Sequence, residues 1–526
     1  MSNNENLEWK IIETSWNKKT LGKDETLFTL ANGHLGLRGD FDEPYPAFHR
    51  GTYINGFFEK EPIVYGEIAY GYAENHETIL NLPDPKQVRL FINDTEFRLD
   101  TAQLNYYRRY LDMKEGLLVR EVEALLPNGC RLRLKSRRLV SFIRDTLGAL
   151  EYQCTVLESP ENKPVSVRVE CPLEALASNR KAEKDPRVGS KFTRHPYRVC
   201  TLNADESRAA LALETHTSGL VADIVMHYQP IPQGKLNVSY NKEEHSIIHR
   251  WEGDMIPGES FTLYKYFSYS MGCGGDQESL QHQNELAIHS ALEAGFNALV
   301  QEQHEYLKDF WAKADIVITG EPEIQQAIRF NIFHILQSSG RRGRTSIAAK
   351  GLTGEGYEGH YFWDTEIYVC PLFTYTKPEI ARSLLEYRYA ILDKARQRAR
   401  TMAERGALFP WRTIDGEETS AYYPAGTAQY HINADIVYAM EKYCQASGDR
   451  DFLFNQAAEV AIETARLWLS LGHFGSDGKF RIDCVTGPDE YTALVNNNAY
   501  TNLMARNNLR FAFKTLKQLQ KENPAQ

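Results

Sequence analysis

The hydrophobic period of the sequence changes at the glycine-rich segment Met271-Gly272-Cys273-Gly274-Gly275. Before this segment apolar and polar residues alternate, as they do at Val165, Val167 and Val169. A two-residue period places the apolar side chains on one face of a β-strand. Residues 1–272 are therefore predicted to form an antiparallel β-sandwich domain.

A turn between two alternating runs supports this prediction. Pro127-Asn128-Gly129 separates a run that ends near Leu126 from one that begins near Arg131. The Asn-Gly pair favours the positive φ angles that a tight hairpin turn requires. We therefore predict a tight antiparallel hairpin at this point.

A helical period follows the glycine-rich segment. Polar, helix-favouring residues lead into a spacing of four or three residues between Ile324, Ile328, Ile332 and Ile335. Residues 273–318 are predicted to be a helical linker, and residues 319–526 a helical domain. Helices are expected near residues 322–339, 364–374, 378–404, 428–447, 451–471 and 497–521, two of them beginning at prolines.

Length, charge and composition argue against a nucleic-acid-binding, secreted or membrane-spanning protein. A chain of 526 residues can hold two or more domains, and its net charge of −10 without a long basic run argues against a nucleic-acid partner. The amino terminus lacks the features of a signal peptide, and no apolar run approaches membrane-spanning length. We expect a cytoplasmic protein that does not bind membranes.

The eight cysteines lack metal-ligand spacing, so no metal site is predicted.

A glycine-rich motif lies in the second half of the chain. Residues 354–359 have the G-x-G-x-x-G spacing of dinucleotide-binding proteins, but the strand and helix that such a site needs are not predicted beside them. Trp363 and Asp364 follow shortly after. An indole face packs on the C–H side of a sugar ring, and a carboxylate accepts hydrogen bonds from hydroxyls. We interpret this pair as a sugar platform. The alternative is a core tryptophan beside a helix N-cap.

A second motif, Thr486-Gly487-Pro488-Asp489-Glu490-Tyr491, combines a turn with two carboxylates. Glycosidic bond cleavage needs a carboxylic acid whose pKa is raised by apolar surroundings. Tyr491 is expected to contribute to such surroundings. Asp489 and Glu490 point to opposite sides of an extended segment, so they are not expected to share one role. Glu490 is the candidate acid, and a solvated acidic turn is the alternative.

A third group of residues joins aromatic and acidic side chains in one loop. Trp411, Glu418 and Tyr422 precede His431, which stands at a predicted helix start. Glu418 and His431 are candidate sugar-binding residues. A histidine in this position can also be purely structural.

These motifs resemble those of glycoside hydrolase family 65, which contains maltose, trehalose, kojibiose and nigerose phosphorylases. The resemblance rests on Phe362-Trp363-Asp364-Thr365-Glu366, on Gly487-Pro488-Asp489-Glu490-Tyr491, and on the early segment from Leu30 to Gly39. It implies an amino-terminal β-sandwich, a helical linker and an (α/α)6-toroid, which appears incomplete in this chain because only about half of its helices are predicted.

The resemblance also implies a reaction. Glu490 matches the general acid of the family, and Trp363 and Asp364 match the pair that holds the glucosyl unit. Inorganic phosphate is the implied co-substrate and nucleophile, so an α-linked glucose disaccharide gives β-glucose 1-phosphate and a free sugar with inversion. No metal or organic cofactor is implied. The loop of residues 416–435, which includes Glu418 and His431, would border the acceptor sugar. A homodimer is a family expectation.

The sequence departs from the family pattern after the acid. A Lys-Gln-Ala-Asp motif and a phosphate-binding segment of serine and histidine are absent downstream of Glu490. We therefore expect a carboxy-terminal truncation with little or no phosphorolytic activity. A trehalase-like glycoside hydrolase and a non-catalytic sugar-binding protein are the two alternatives.

Overall fold

The computed structural model describes residues 7–67, 70–181, 192, 194–421 and 423–522, so Tyr422 of the third motif lies outside it. The chain divides into two compact units. The first comprises Met1–Glu59, Ile79–Ser338 and Lys350–Gly356, and the second comprises Lys60–Thr78, Ser339–Ala349 and Tyr357–Gln526. The segment Lys60–Thr78 thus belongs to the helical unit although it lies in the β half of the sequence.

Nearly all strands fall in the first half of the chain. They are β1 (Lys10–Glu13), β2 (Leu30–Ala31), β3 (Leu35–Leu37), β4 (Thr52–Ile54), β5 (Phe58–Pro62), β6 (Asn75–Ile79), β7 (Arg89–Ile92), β8 (Thr95–Glu96), β9 (Gln103–Asp112), β10 (Leu117–Leu125), β11 (Arg131–Val140), β12 (Leu147–Glu158), β13 (Val165–Glu174), β14 (Tyr197–Ala204), β15 (Arg208–Thr215), β16 (Leu220–Ile231), β17 (Asn237–Lys242), β18 (Ser246–Met255), β19 (Ser260–Cys273), β20 (His473–Phe474) and β21 (Phe480–Arg481).

Two large antiparallel sheets form most of the β unit. The larger has the order β1-β9-β10-β11-β12-β19-β16-β15-β14, and the smaller has the order β17-β18-β13-β7-β8. Their inner faces touch where Tyr228 of β16 lies 4.5 Å from His249 and 5.4 Å from Trp251 of β18, measured between ring centroids. The predicted antiparallel β-sandwich is confirmed, and Val165, Val167 and Val169 are all buried in it.

The predicted hairpin exists, but its turn differs from the expected one. The N–H of Leu126 donates to the carbonyl of Cys130, and only Gly129, with φ of 82°, takes a positive φ angle within the turn. Asn128 instead uses its side chain: Oδ1 accepts from the N–H of Cys130, and Nδ2 donates to the carbonyl of Ile92. The expectation of positive φ at both residues was wrong because this longer loop needs only one left-handed residue.

The helices follow the predicted pattern closely. They are α1 (Leu21–Leu27), α2 (Gln277–Ala294), α3 (Phe296–Ala314), α4 (Pro322–Ser338), α5 (Cys370–Thr376), α6 (Pro378–Ala390), α7 (Leu392–Thr401), α8 (Tyr423–Ala428), α9 (His431–Ser447), α10 (Arg450–Phe452), α11 (Ala458–Leu471) and α12 (Ala499–Glu522). Single π-helical turns stand before α5 and between α10 and α11. Among the described residues, none of these helices has the length and apolar character needed to cross a membrane.

The two linker helices pack on the large sheet. Ile288 of α2 and Leu299 of α3 join Leu117, Val119 and Tyr266 in one buried cluster. In the helical unit, a separate cluster contains Ala434 of α9, Leu467 and Trp468 of α11, and Ala505 of α12. Val485, which precedes the acidic turn, belongs to this second cluster and so anchors the turn to the helices.

Candidate active site

Trp363 and Asp364 stand where an irregular segment enters a π-helical turn. The Trp363 side chain is 7% exposed, and its ring meets the His431 ring edge to face at 5.0 Å. Asp364 is exposed and occupies the N-cap position of the turn Thr365–Val369, yet its side chain makes no capping hydrogen bond. The alternative, a core tryptophan beside a helix N-cap, therefore matches these positions, whereas the Asp364 carboxylate makes no capping bond and its contact with a sugar stays a prediction.

A buried ion pair holds this segment against helix α6. Arg388 and Glu366 are both fully buried, and Nε and Nη2 of Arg388 each lie 2.8 Å from a Glu366 carboxylate oxygen. Nη2 also donates to the carbonyl of Phe362. Such a bidentate contact fixes the orientation of the two side chains as well as their distance. The backbone on both sides of Trp363 is thereby tied to one helix.

The acidic turn places Glu490 in an unusual backbone conformation. Its φ is 59°, a left-handed angle that costs a non-glycine residue on the order of 1–3 kcal/mol. The Glu490 N–H donates to the carbonyl of Gly487 at 3.2 Å, and the N–H of Thr486 donates to the carbonyl of Ala428 at 2.9 Å. The side chains of Asp489 and Glu490 are exposed, and that of Tyr491 is 94% exposed. Tyr491 therefore does not supply the apolar surroundings that we expected of it.

Glu490 and Asp364 lie near each other although 126 residues separate them in sequence. The pKa of the Asp364 carboxyl is raised above its ordinary value, first by partial burial and also by the charge of Glu490. Glu490 in turn accepts a hydrogen bond of 2.6 Å at Oε1 from Nε2 of Gln429. The structure thus brings the predicted acid and the predicted sugar platform together.

His431 supports the platform from inside the helical unit. It is fully buried, and its Nδ1 lies 2.7 Å from Asp435, which also accepts a 2.8 Å hydrogen bond from the hydroxyl of Tyr500. Burial and the Asp435 carboxylate raise the pKa of Tyr500. Nε2 of His431 has no hydrogen-bond partner among the described residues. The predicted histidine therefore backs the Trp363 ring and keeps one nitrogen unpaired.

Glu418 is buried within its own loop. One carboxylate oxygen accepts from the N–H of Trp411 at 2.6 Å, and the other accepts from the N–H of Ser420 at 2.9 Å. Burial raises the pKa of Glu418 to about 7, while Arg398 and these backbone donors oppose the rise. Both oxygens thus hold the loop, and the predicted contact of Glu418 with a sugar stays a prediction.

Three carboxylates near this loop have the spacing of a metal site. Glu77, Asp415 and Glu417 present oxygens within 4.8 Å of one another. However, Nζ of Lys60 lies 2.7 Å from Asp415 and 2.8 Å from Glu417, and Nζ of Lys394 lies 2.6 Å from Asp415. The two ammonium groups therefore offset the charges of Asp415 and Glu417, and the cluster ties the segment Lys60–Thr78 to the loop within the same unit.

Sequence reasoning missed Gln429, Asp435 and Tyr500. Asp435 lies one helical turn after His431, and that spacing is a signal that could have paired them. Tyr500 and Gln429 meet their partners across 65 and 61 residues of sequence. No local pattern predicts such contacts.

Comparison with known sequences matches both units to one family. Residues 11–310 match the description glycosyl hydrolase family 65, N-terminal domain, and residues 329–525 match glycosyl hydrolase family 65 central catalytic domain. The chain belongs to glycoside hydrolase family 65. Its motifs at Trp363 and Glu490 lie inside the matched catalytic domain.

Relatives in family 65 are similar over nearly the whole chain. The α,α-trehalose phosphorylase of Thermoanaerobacter brockii is 44% identical over 98% of this chain and 67% of its own length. The kojibiose phosphorylase of Halothermothrix orenii is 32% identical over 95% of this chain and 64% of its own length. A solved protein from the human microbiome, assigned as a kojibiose phosphorylase, superposes with a TM-score of 0.88 at 26% identity and covers 98% of this chain and 67% of that one.

These comparisons confirm the predicted family and the order of a β domain followed by a helical domain. The chain spans about two thirds of the length of these relatives. The matches cover 98% of this chain but about two thirds of the relatives, so they do not test the predicted truncation. The loss of activity that was expected from it is not part of the proposed function.

Proposed function

We propose that this chain catalyses the phosphorolysis of an α-linked glucose disaccharide, with inversion, to β-glucose 1-phosphate and a free sugar. The observation that carries the proposal is that Gln429, which donates to Glu490, stands two residues before His431, whose ring packs against that of Trp363. Similarity to trehalose and kojibiose phosphorylases, at 44% and 32% identity, supports it.

Each residue of the site has a chemical task in this proposal. Trp363 packs against the glucosyl ring, and Asp364 accepts hydrogen bonds from its hydroxyls. Glu490 gives its proton to the glycosidic oxygen as the bond from that oxygen to the anomeric carbon breaks. A phosphate oxygen forms the new bond to that carbon from the opposite face, which inverts the configuration.

This reaction needs one protein carboxylic acid instead of the two that inverting hydrolysis requires. Phosphate is an anionic nucleophile, so no base has to activate a water molecule. The proposal assigns Asp364, whose pKa is raised in part by the charge of Glu490, to sugar binding and gives the exposed Asp489 no catalytic task. Phosphate is thus a co-substrate in this scheme. The cytoplasmic location and the homodimer stay predictions.

The test compares trehalose, kojibiose, nigerose and maltose, with and without inorganic phosphate. We expect one disaccharide to release glucose 1-phosphate only when phosphate is present, with the β anomer identified by NMR. Glucose release without phosphate would favour the trehalase-like alternative, and binding without turnover would favour a sugar-binding protein.

A further inference from the structure

Gln429 contacts the catalytic carboxylate from the turn between helices α8 and α9. Its side chain is 4% exposed, and its Nε2 lies 2.6 Å from Oε1 of Glu490. The other end of the same amide, Oε1, is buried without a hydrogen-bond partner among the described residues. A buried amide with one unpaired end costs stability, on the order of 1–3 kcal/mol. Such an arrangement points to a functional task for the amide.

Glu490 has few other restraints on its position. Its backbone lies in the left-handed region with φ of 59°, and its side chain is exposed to solvent. An exposed glutamate samples several rotamers, and fixing one of them costs up to about 2 kcal/mol of side-chain entropy. A hydrogen bond from a buried amide can offset part of that cost. Gln429 is the side chain that makes this bond.

An amide can also serve both protonation states of a carboxylic acid. Its N–H donates to a carboxylate, and after a half-turn of the amide its carbonyl accepts from the O–H of the acid. The general acid of a glycosyl transfer alternates between these states, because it loses its proton when the sugar leaves. A lysine or arginine in the same place would bind only the ionised form of Glu490, because neither side chain has a hydrogen-bond acceptor.

We propose that Gln429 is a positioning residue for the general acid and holds Glu490 toward the glycosidic oxygen before and after proton transfer. This inference rests on the proposed function. If Gln429 only stabilised the fold, its loss would slow the reaction of every substrate. As a positioning residue, it affects the rate only when the departing group needs a proton. Substrates whose leaving group departs as a stable anion do not depend on it.

The test uses Gln429→Met, which keeps the length of the side chain and removes both polar ends. Phosphorolysis of the disaccharide is compared with that of α-glucosyl fluoride, where phosphate forms the bond to the anomeric carbon and fluoride leaves without a proton. We expect kcat on the disaccharide to fall by about 10- to 100-fold. On the fluoride we expect a change of less than about threefold, with KM nearly constant for both substrates.

Gln456→Met is the matched control. It makes the same chemical change in the π-helical turn Leu453–Ala457, and neither substrate should be affected. If Gln429→Met slowed both substrates equally, its effect would be structural and the inference would be wrong while the proposed function stood. If the unmodified protein phosphorolysed neither substrate, the proposed function itself would fail.

Discussion

Asp364 carries the charge that we expect to hold the glucosyl unit. Asp364 is exposed, and its carboxylate makes no helix-capping hydrogen bond. The charge of Glu490 contributes to the raised pKa of Asp364. Asp364→Asn removes the charge and keeps the shape. Because a hydrogen bond to a charged group contributes about 1.5–3 kcal/mol, the Kd for disaccharide should rise about 10- to 100-fold. Calorimetry of sugar binding measures this change.

The same residue gives binding a pH dependence. A raised pKa means that Asp364 takes up its proton at a higher pH than an ordinary aspartate does. Sugar binding should therefore weaken as the pH falls through that pKa, whereas binding by Asp364→Asn should change less. Equal pH profiles for the two proteins would contradict the role assigned to Asp364.

Glu418 makes a separate prediction about stability. Burial favours its protonated form in the folded chain and raises its pKa from 4.5 to about 7. The folded state binds this proton more tightly than the unfolded state, so the free energy of unfolding falls as the pH rises from about 4.5 to 7. The loss from this group is about 3 kcal/mol, and no further loss follows above pH 7.

Glu418→Gln removes this titration. Thermal unfolding of both proteins between pH 5 and 8 should give a difference in Tm that moves in favour of the variant as the pH rises. A difference that stays constant over this range would show that Glu418 does not titrate there.

Some residues of the site were predictable and others were not. Trp363, Asp364 and Glu490 belong to short motifs whose chemistry is visible in adjacent residues. Gln429 has no such motif, since its partner lies 61 residues away and only the fold brings them together. The burial of Glu418 was equally hidden, because its partners are backbone N–H groups that every residue type except proline offers.

At the scale of elements, helix α6 determines where the sugar platform lies. Its Arg388 binds Glu366 through two hydrogen bonds of 2.8 Å, and both side chains are fully buried. Arg388→Met would leave a buried carboxylate without its partner, which costs about 3–5 kcal/mol. We expect a marked loss in Tm together with weaker disaccharide binding.

Two variants make this experiment specific. Arg388→Met combined with Glu366→Met replaces the ion pair by apolar groups, and most of the stability should return. Arg382→Met removes a partly exposed arginine of the same helix, paired with Glu386, Asp449 and Asp451, and should cost clearly less than Arg388→Met. If Arg388→Met were as stable as the unmodified chain, the platform would not depend on α6.

The helices themselves were well predicted because their signals are local. Pro322 and Pro378 each begin a helix as expected, and the apolar spacing continues to α12. The π-helical turn Thr365–Val369 was not predictable, because a single extra residue in a turn leaves the apolar spacing almost unchanged. That turn directly follows Asp364, so an irregular helix begins at the site.

At the scale of the molecule, one segment belongs to a different unit from its neighbours in sequence. The segment Lys60–Thr78 lies among strands in the sequence but belongs to the helical unit. Within that unit, Lys60 binds Asp415 and Glu417, and Glu77 accepts from the N–H of Ile414. Alternating periodicity predicted strands in this part of the chain and carried no information about which unit they would join.

The central claim is that Glu490 protonates the departing sugar. The most direct test measures kcat for phosphorolysis and the Kd for disaccharide in Glu490→Gln, with Asp489→Asn as the control at the neighbouring exposed carboxylate. We predict that Glu490→Gln lowers kcat by about 10²- to 10⁴-fold with little change in Kd, and that Asp489→Asn changes kcat far less. A Glu490→Gln protein that keeps its phosphate-dependent turnover would contradict the claim.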